Sequence, residues 1–565
     1  MSKNITKIRW DIRNVAEADN NIDLARLILL GRGYKNSEIK HFLSPSYTDD
    51  LADPFLLSGM SKAVDRIYQA VTQKQNIVIY GDYDIDGITA SALLYDFLLQ
   101  SGAVVSVYIP DRFEEGYGLN SKALKQLKKQ NTDLVITVDC GITAEHEAVL
   151  AQKIGLDLII TDHHTPPKSL PVAALAVINP KLIESKYPFV ELAGVGVAFC
   201  LVRAMIKKFP ALVRLGQEKW LLDLVALGTV CDVVPLVGEN RVLVSYGLKV
   251  LQKTRRKGLI ALAKSSGTEI NNINESDLGF RLGPRLNAAG RLEHAKIALN
   301  LLLSNDANEA ESLAIELNDL NHERQVQTQE IFESANKQAI KQNDKMILVL
   351  ADSEWSSGVV GIVASRIAEK WHKPAILLQV KAGKAKGSAR SYGEFSLIDA
   401  LKSCSQLFDK YGGHKYAAGM TLREDNIKQL SHSINKYALE NIDIDSLLPR
   451  IKVDVKIVNF TPKIDNIINI SKLRPHGNGN NQPIFASNFQ LLDKRLIGQD
   501  NNHVKFIFKS PHSNKIDGIA FNSAHKWPSI ELNQNYEVAY YLQENIWQNI
   551  SKVQIEVIDI KNIKE

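Results

Sequence analysis

Between residues 76 and 180, short β-branched apolar runs alternate with stretches long enough for a helix: NIVIY (76–80), VVSVYIP (104–110), LVITVD (134–139), LDLIITD (156–162) and ALAVINP (174–180). Runs of this makeup, spaced by helical segments, are strands of βαβ units, and such crossovers make a parallel sheet buried on both faces. An open parallel sheet places its ligand crevice beyond the carboxyl ends of its strands. The residues that follow each run therefore decide what this chain can do.

NIVIY runs into Gly81-Asp82-Tyr83-Asp84-Ile85-Asp86-Gly87, which sets three carboxylates at alternate positions. Like charges this close repel unless a cation is bound. The same string opens an EF-hand loop, but that loop ends in Glu at its twelfth position, where this chain has Leu93, and its flanks are two helices instead of a strand and a helix. Two further runs end in Thr137-Val138-Asp139-Cys140-Gly141 and Thr161-Asp162-His163-His164-Thr165, and Asp232 closes the apolar stretch 224–236. A single strand-end Asp is ordinarily a helix cap, and a single His a hydrogen-bonded structural residue. Four such ends bringing Asp and His to one crevice point to metal. Carboxylate with imidazole suits Mn²⁺, with Mg²⁺ weaker where His ligates. A carboxylate shared by two ions suits in-line phosphoryl displacement by water. Asp223 reads as an ordinary helix residue.

The chain has 565 residues, enough for three to four domains at roughly 150 residues each. Segment 306–342 lacks Gly and Pro and has sparse apolar positions, which predicts a long, largely exposed helix. A second α/β stretch follows from about 343, and from about 450 short alternating runs with Asn, Gly and Pro turns predict a small all-β unit. The expected division is an N-terminal extension packing on the first lobe (1–70), a first α/β lobe (71–300), a connecting helix (301–342), a second α/β lobe (343–445) and a β domain (446–565). Lys+Arg 68 against Asp+Glu 63 leaves +5, which permits an anionic partner without requiring one. The four cysteines form no CxxC pair, the N-terminus MSKNITKIRW has no apolar leader core, and no apolar run approaches the ~18 residues of a membrane span. A cytoplasmic, disulfide-free protein with no membrane segment is expected.

The strings GDYDIDG, TVDCGI, TDHH and LGTVCDVVPL resemble the successive motifs of the DHH phosphoesterase superfamily. Downstream, GPRLNAAGR (283–291), WSSGVVGIVASR (355–366), GSARS (387–391) and YGGHKYAAG (411–419) resemble the linker and DHHA1 portions of the RecJ family, bacterial single-strand-specific 5′→3′ exonucleases. The resemblance runs in order over nearly the whole chain. It implies a catalytic set of Asp82, Asp84, Asp139, His163, His164 and Asp232. Of these, Asp82, Asp84, Asp139, His163 and Asp232 would be ligands of Mn²⁺ or Mg²⁺, two ions in all. Asp86, Asp162 and His164 would either ligate or orient a neighbour. It further implies a C-terminal OB-fold, single-stranded DNA as substrate, a single-strand-binding protein and a helicase as partners, and a monomer.

Phosphodiester hydrolysis also needs groups that meet the non-bridging oxygens. Candidates are Arg112, Arg366 and, within GPRLNAAGR, Arg285, Asn287 and Arg291, where small neighbours would let backbone approach a phosphate. Gly412, Gly413 and His414 precede a helix-compatible stretch and would aim N–H groups at an anion; in DHHA1 domains the matching loop faces substrate. Ser388 and Arg390, at i and i+2, share a strand face and are expected, with Arg112, to hold a 5′-terminal phosphate. In the β domain Phe485, Phe489, Phe506, Phe508 and Tyr541 could stack on bases or fill a barrel. Ser356, His476 and Asn481 stand where the family commonly has His, Phe and Pro, which affects peripheral loops and leaves the metal positions complete. Two other functions compete: a DHH/DHHA1 nanoRNase or cyclic-dinucleotide phosphodiesterase, which would need no extended platform, and a non-catalytic CDC45-like binding protein, which would not keep every Asp and His.

Overall fold

A computed structural model describes residues 8–18, 22–112, 115–116, 118–548 and 550–563. Five strands form the parallel sheet expected of the first lobe, in the order Val104–Tyr108, Asn76–Gly81, Leu134–Val138, Asp157–Thr161, Ala176–Ile178. The central strands are buried over nearly their whole length, as a sheet covered on both faces requires. Helix Ile85–Gln100 is buried nearly all round and packs against helices Gly194–Lys208 and Leu222–Cys231. Its small residues Gly87, Ala90, Ser91 and Ala92 allow that close approach. Register aligns the strand ends: Gly81 pairs with Val138, and Val138 with Thr161. The next residues, Asp82, Asp139 and Asp162, therefore emerge side by side at one edge.

The chain divides into two compact units. The first lobe belongs to the unit made of Trp10–Gly283, Ala298–Glu311 and Lys452–Glu565, together with the β domain. There the strands Phe485–Ile497, His503–Lys509, Lys515–Ala520, Ile550–Asn562 and Asn535–Trp547 close on themselves as a barrel, because the first also pairs with the last. Strand Arg450–Val458 adds alongside, followed by Arg9–Glu17 at the edge. Phe485, Phe489, Phe506 and Phe508 are each at most 1% exposed and fill the barrel. They are core residues, so base stacking by these four is ruled out.

Residues 1–7 and 19–21 of the expected N-terminal extension lie outside the described residues. The rest does not pack on the first lobe alone. Helices Leu24–Gly31 and Asn36–Leu43 bury Leu24, Ile28 and Phe42 in the barrel's core cluster, while helix Met60–Thr72 packs on the first lobe. An amphipathic stripe in the sequence shows that a helix will be covered, and leaves open which core covers it.

The other unit contains Pro284–Ile297 and Ser312–Ile451. Its mixed sheet runs Phe408–Gly413, Ala417–Arg423, Lys384–Arg390, Ala375–Lys381, Leu348–Asp352. Ala382 and Gly383, both at positive φ, close the hairpin between Lys381 and Lys384, the backbone that a two-residue turn demands. The long helix spans Ala307–Lys341. One face is less exposed than its sparse apolar positions suggested, because Ile331, Ala335 and Ala339 are buried against Leu348 and Leu350. Alanine at i, i+4 makes a shallow contact stripe that hydropathy alone understates. Among the described residues, no helix is long and apolar enough to cross a membrane.

Candidate metal centre

Asp82 follows its strand directly and is 2% exposed. Gly87 makes its position possible, since a methyl group there would stand 2.6 Å from the Asp82 backbone nitrogen. Asp84 caps helix Ile85–Gln100, accepting from Gly87 N at 3.1 Å. Asp139 sits at φ +61, a left-handed backbone, and is 1% exposed. Asp232 ends helix Leu222–Cys231. His163, 6% exposed, lies among them, with Nε2 at 3.1 Å from Asp139 Oδ1 and 3.7 Å from both Asp86 Oδ2 and Asp232 Oδ2.

Three sets of ligating atoms lie within 4.8 Å of one another: Asp82, Asp84 and Asp139; Asp139, His163 and His164; and Asp86, His163 and Asp232. Asp139 links the first two sets and His163 the last two. Asp82 Oδ1, Asp139 Oδ1, Asp232 Oδ2 and both ring nitrogens of His163 are buried without an aligned hydrogen-bond partner among the described residues. The 3.1 Å approach of His163 to Asp139 is thus a close contact and not a directed hydrogen bond, and the Leu192 backbone near His163 acts on its charge without satisfying its ring nitrogens. Buried acceptors left open in this way are costly. A divalent cation would satisfy them together, so the donor set fits Mn²⁺ or Mg²⁺.

Two acids of the cluster have another occupation. Asp86 accepts from Gly194 N at 2.6 Å and Val195 N at 2.8 Å, which ties the first amides of helix Gly194–Lys208 to the centre. Asp162 accepts from the backbone N–H groups of Ile142, His163 and His164 and meets His164 Nδ1 at 2.7 Å. It stands outside all three sets and is bonded to His164, the arrangement that matches the orienting alternative of the two the sequence left open. Asp223 is buried and bonded to Thr254 and Arg256, a structural ion pair. Gly194 is the residue the sequence reading missed: a methyl group there would lie 2.6 Å from Asp139 Cβ.

Charge follows geometry. Burial, then repulsion from neighbouring acids, raises Asp82 and Asp139 well above the usual carboxylate range, Asp86 to about 7 and Asp232 to about 9. Burial, then His164, lowers His163 to about 4, which keeps it neutral at pH 7. Burial opposes charge on His164 as well, but Asp162 outweighs it and raises its pKa. From about pH 4 up to about 7 the metal-free fold holds a proton on Asp86, and from about pH 4 up to about 9 one on Asp232, that the unfolded chain, with ordinary acids near 4, has released. Metal-free stability is therefore expected to fall as pH rises through those windows, while Mg²⁺, which needs the ionised acids, stabilises increasingly. Thermal melts in EDTA and in Mg²⁺ check this, and parallel pH profiles would contradict it.

The proposed phosphate contacts differ in what holds them. Arg112 stacks at 5.0 Å on Tyr83 and acts electrostatically on Asp82. GPRLNAAGR forms helix Gly283–Leu292, with Ala288 and Ala289 fully buried, so its small residues serve packing and do not open a phosphate loop. Within it Arg285 Nε donates to Asn318 at 3.1 Å, Arg291 donates to Gly358 O at 3.2 Å, and Asn287 is half-buried. Arg366 stacks on Phe332 at 4.1 Å and donates to Gln329. Gly412, Gly413 and His414 are exposed on a hairpin between Phe408–Gly413 and Ala417–Arg423, so the element that follows them directly is a strand and not a helix. Ser388 and Arg390 do share a face: a methyl group at Gly361, in the first turn of helix Val360–Trp371, would meet Ser388 Oγ at 3.3 Å and Arg390 Nη2 at 3.2 Å.

Residues 76–229 match the DHH family, N-terminal domain; 343–440 match the DHHA1 domain; and 453–559 match the RecJ OB domain. The single-stranded-DNA-specific exonuclease RecJ of Bacillus subtilis is 39% identical over 566 residues, covering 98% of this chain and 71% of that one. The chain belongs to the RecJ family. The RecJ of Haemophilus influenzae is 35% identical and covered to 96% of its length. Among solved structures, RecJ from Thermus thermophilus in complex with Mn²⁺ superposes with a TM-score of 0.82 at 30% identity, over 99% of this chain and 80% of that one. The RecJ family thus accounts for both α/β lobes and the barrel.

Proposed function

We propose that this chain is a divalent-metal-dependent exonuclease that hydrolyses single-stranded DNA from its 5′ end to 5′-mononucleotides, in recombination and repair. The carrying observation is the convergence of buried, unsatisfied carboxylate and imidazole atoms at one sheet edge. RecJ relatives named as single-stranded-DNA-specific exonucleases, and the Thermus structures with Mn²⁺ and with Mg²⁺, support the reading.

Asp82, Asp84 and Asp139 would hold one ion, and Asp139, His163 and Asp232 a second. Bound there, two ions supply an activated water and neutralise charge on the phosphoryl group during in-line displacement. The side chains do the rest. His163 stays neutral and presents a lone pair. Asp86 fixes the helix that packs on Asp139. His164, half-exposed, is held by Asp162 at Nδ1, which favours its charged form, and its Nε2–H would donate a proton to the leaving 3′ oxygen. Arg112 screens the acids and meets a non-bridging oxygen. Arg285, Asn287, Arg291, Arg366, Gly412, Gly413 and His414 add contacts along the strand.

Ser388 and Arg390, beside Gly361 in the first turn of helix Val360–Trp371, combine a hydroxyl and a guanidinium, a set suited to a terminal phosphate. Burial lowers the Arg390 pKa, and a bound anion would oppose that shift by favouring the charged guanidinium. Arg390→Ala is accordingly expected to erase any preference for a 5′-phosphorylated end, measured as the ratio of rates on phosphorylated and unphosphorylated strands; an unchanged ratio would remove this assignment. The enzyme would work as a monomer in the cytoplasm, where its free cysteines stay reduced, with a helicase and a single-strand-binding protein delivering its strand. Degradation of 5′- and 3′-labelled strands of about 5 and about 50 nucleotides with Mn²⁺ tests the whole reading. Early release of the 5′ label from both lengths supports it; activity confined to the short strands would assign a nanoRNase instead.

A further inference from the structure

The residue after Asp232 carries an unusual backbone. Val233 sits at φ +62, a left-handed conformation that a helix end normally gives to Gly and that a β-branched side chain resists. Its side chain is 63% exposed, so packing of that side chain does not impose the turn. The constraint comes from a distant stretch of sequence. Asn478 Nδ2 donates to Val233 O at 2.8 Å, and Leu236 N donates to Asn478 O at 2.7 Å. One residue therefore brackets the turn with its side chain and its backbone. Glycines on either side permit the approach: a methyl group at Gly477 would lie 2.6 Å from Leu236 Cδ1, and one at Gly479 would lie 3.0 Å from Pro235 Cβ.

The bracket rests on a loop fixed by other means. Arg474 binds Glu275 through two bonds of 3.0 Å, His476 N donates to the same carboxylate, and Gly477 and Asn480 exchange backbone bonds of 3.0 and 3.1 Å. Asn480 donates to the carbonyls of Leu473 and Pro475 and accepts from Arg32. None of these bonds involves the Asn478 side chain. On the other side of the turn, Asn240 donates to Pro235 O at 3.0 Å. Removing the Asn478 amide would thus free Val233 without dismantling its surroundings.

We propose that Asn478 is a positioning residue of the metal centre: it holds Val233 in its strained turn and thereby aims the Asp232 carboxylate. This rests on the reading of Asp232 as a ligand. It gives the C-terminal region a task beyond binding the strand, because the segment joining strand Arg450–Val458 to the barrel sets the geometry of an acid in the first lobe. Groups that orient ligands change metal affinity by about 10- to 100-fold when removed.

The test is a Mn²⁺ titration of the full chain, reading free Mn²⁺ by electron paramagnetic resonance, for wild type, Asn478→Ala, the double variant Val233→Gly with Asn478→Ala, and Asp232→Ala. Asn478→Ala is expected to weaken binding at least about 10-fold. The double variant should return to within about threefold of wild type, because Gly adopts the left-handed turn unaided. A purely structural loss would not be rescued by a second substitution to Gly. Wild-type affinity in Asn478→Ala, or no rescue by Val233→Gly, overturns the proposal while weakened binding in Asp232→Ala leaves the ligand reading intact. Wild-type affinity in Asp232→Ala overturns both.

Discussion

Asp139→Asn should lower the rate of single-strand hydrolysis by at least about 10³-fold, the scale set by losing several kcal/mol of metal-borne charge stabilisation. Asp139 lies within ligating reach of both Asp82 with Asp84 and His163, and it is assigned to both proposed ions, so one substitution removes a ligand from each. The variant should fold well. Asn tolerates the left-handed backbone at φ +61 better than most residues. It also removes a buried carboxylate that burial and four neighbouring acids push toward its neutral form. Its metal-free melting temperature at pH 8 should therefore be no lower than that of wild type, with activity lost. A variant that retains more than about a tenth of the rate would remove Asp139 from the centre.

Gly194→Ala should cost about 10²-fold, although the residue carries no functional group. Its added methyl would lie 2.6 Å from Asp139 Cβ and 2.7 Å from Asp139 Oδ1, closer than carbon and oxygen tolerate, so the carboxylate must move. The same residue donates to Asp86 at 2.6 Å, which limits how far the helix can retreat. A displacement near 1 Å at a reacting centre carries a penalty of that order. Steady-state rates with a Mn²⁺ titration check it. Weaker Mn²⁺ binding together with a lower kcat is expected, and a wild-type kcat would show that the helix yields instead of Asp139.

The parallel sheet was legible because each strand is a continuous β-branched run, and the candidate centre because register brings Asp82, Asp139 and Asp162 to one edge. Contacts between distant segments were not legible. Nothing near Asp86 announces that its partners are the amides of Gly194 and Val195, and nothing near Asp232 announces Asn478. The stretch after Gly413 looked compatible with a helix, but Ala418, Met420 and Leu422 alternate inward as a strand, a period-two signal hidden by small residues. In the barrel the aromatic alternation was visible, and its physical meaning, core filling, follows from closure of the sheet, which no single strand discloses.

The most direct measurement is anomalous diffraction at the manganese edge from crystals of this chain soaked in Mn²⁺. Two peaks are expected, one among Asp82, Asp84 and Asp139 and one among Asp139, His163 and Asp232, with Asp162 bonded to His164 and away from both. A single peak not touching Asp139, or none at this sheet edge, would contradict the two-ion centre.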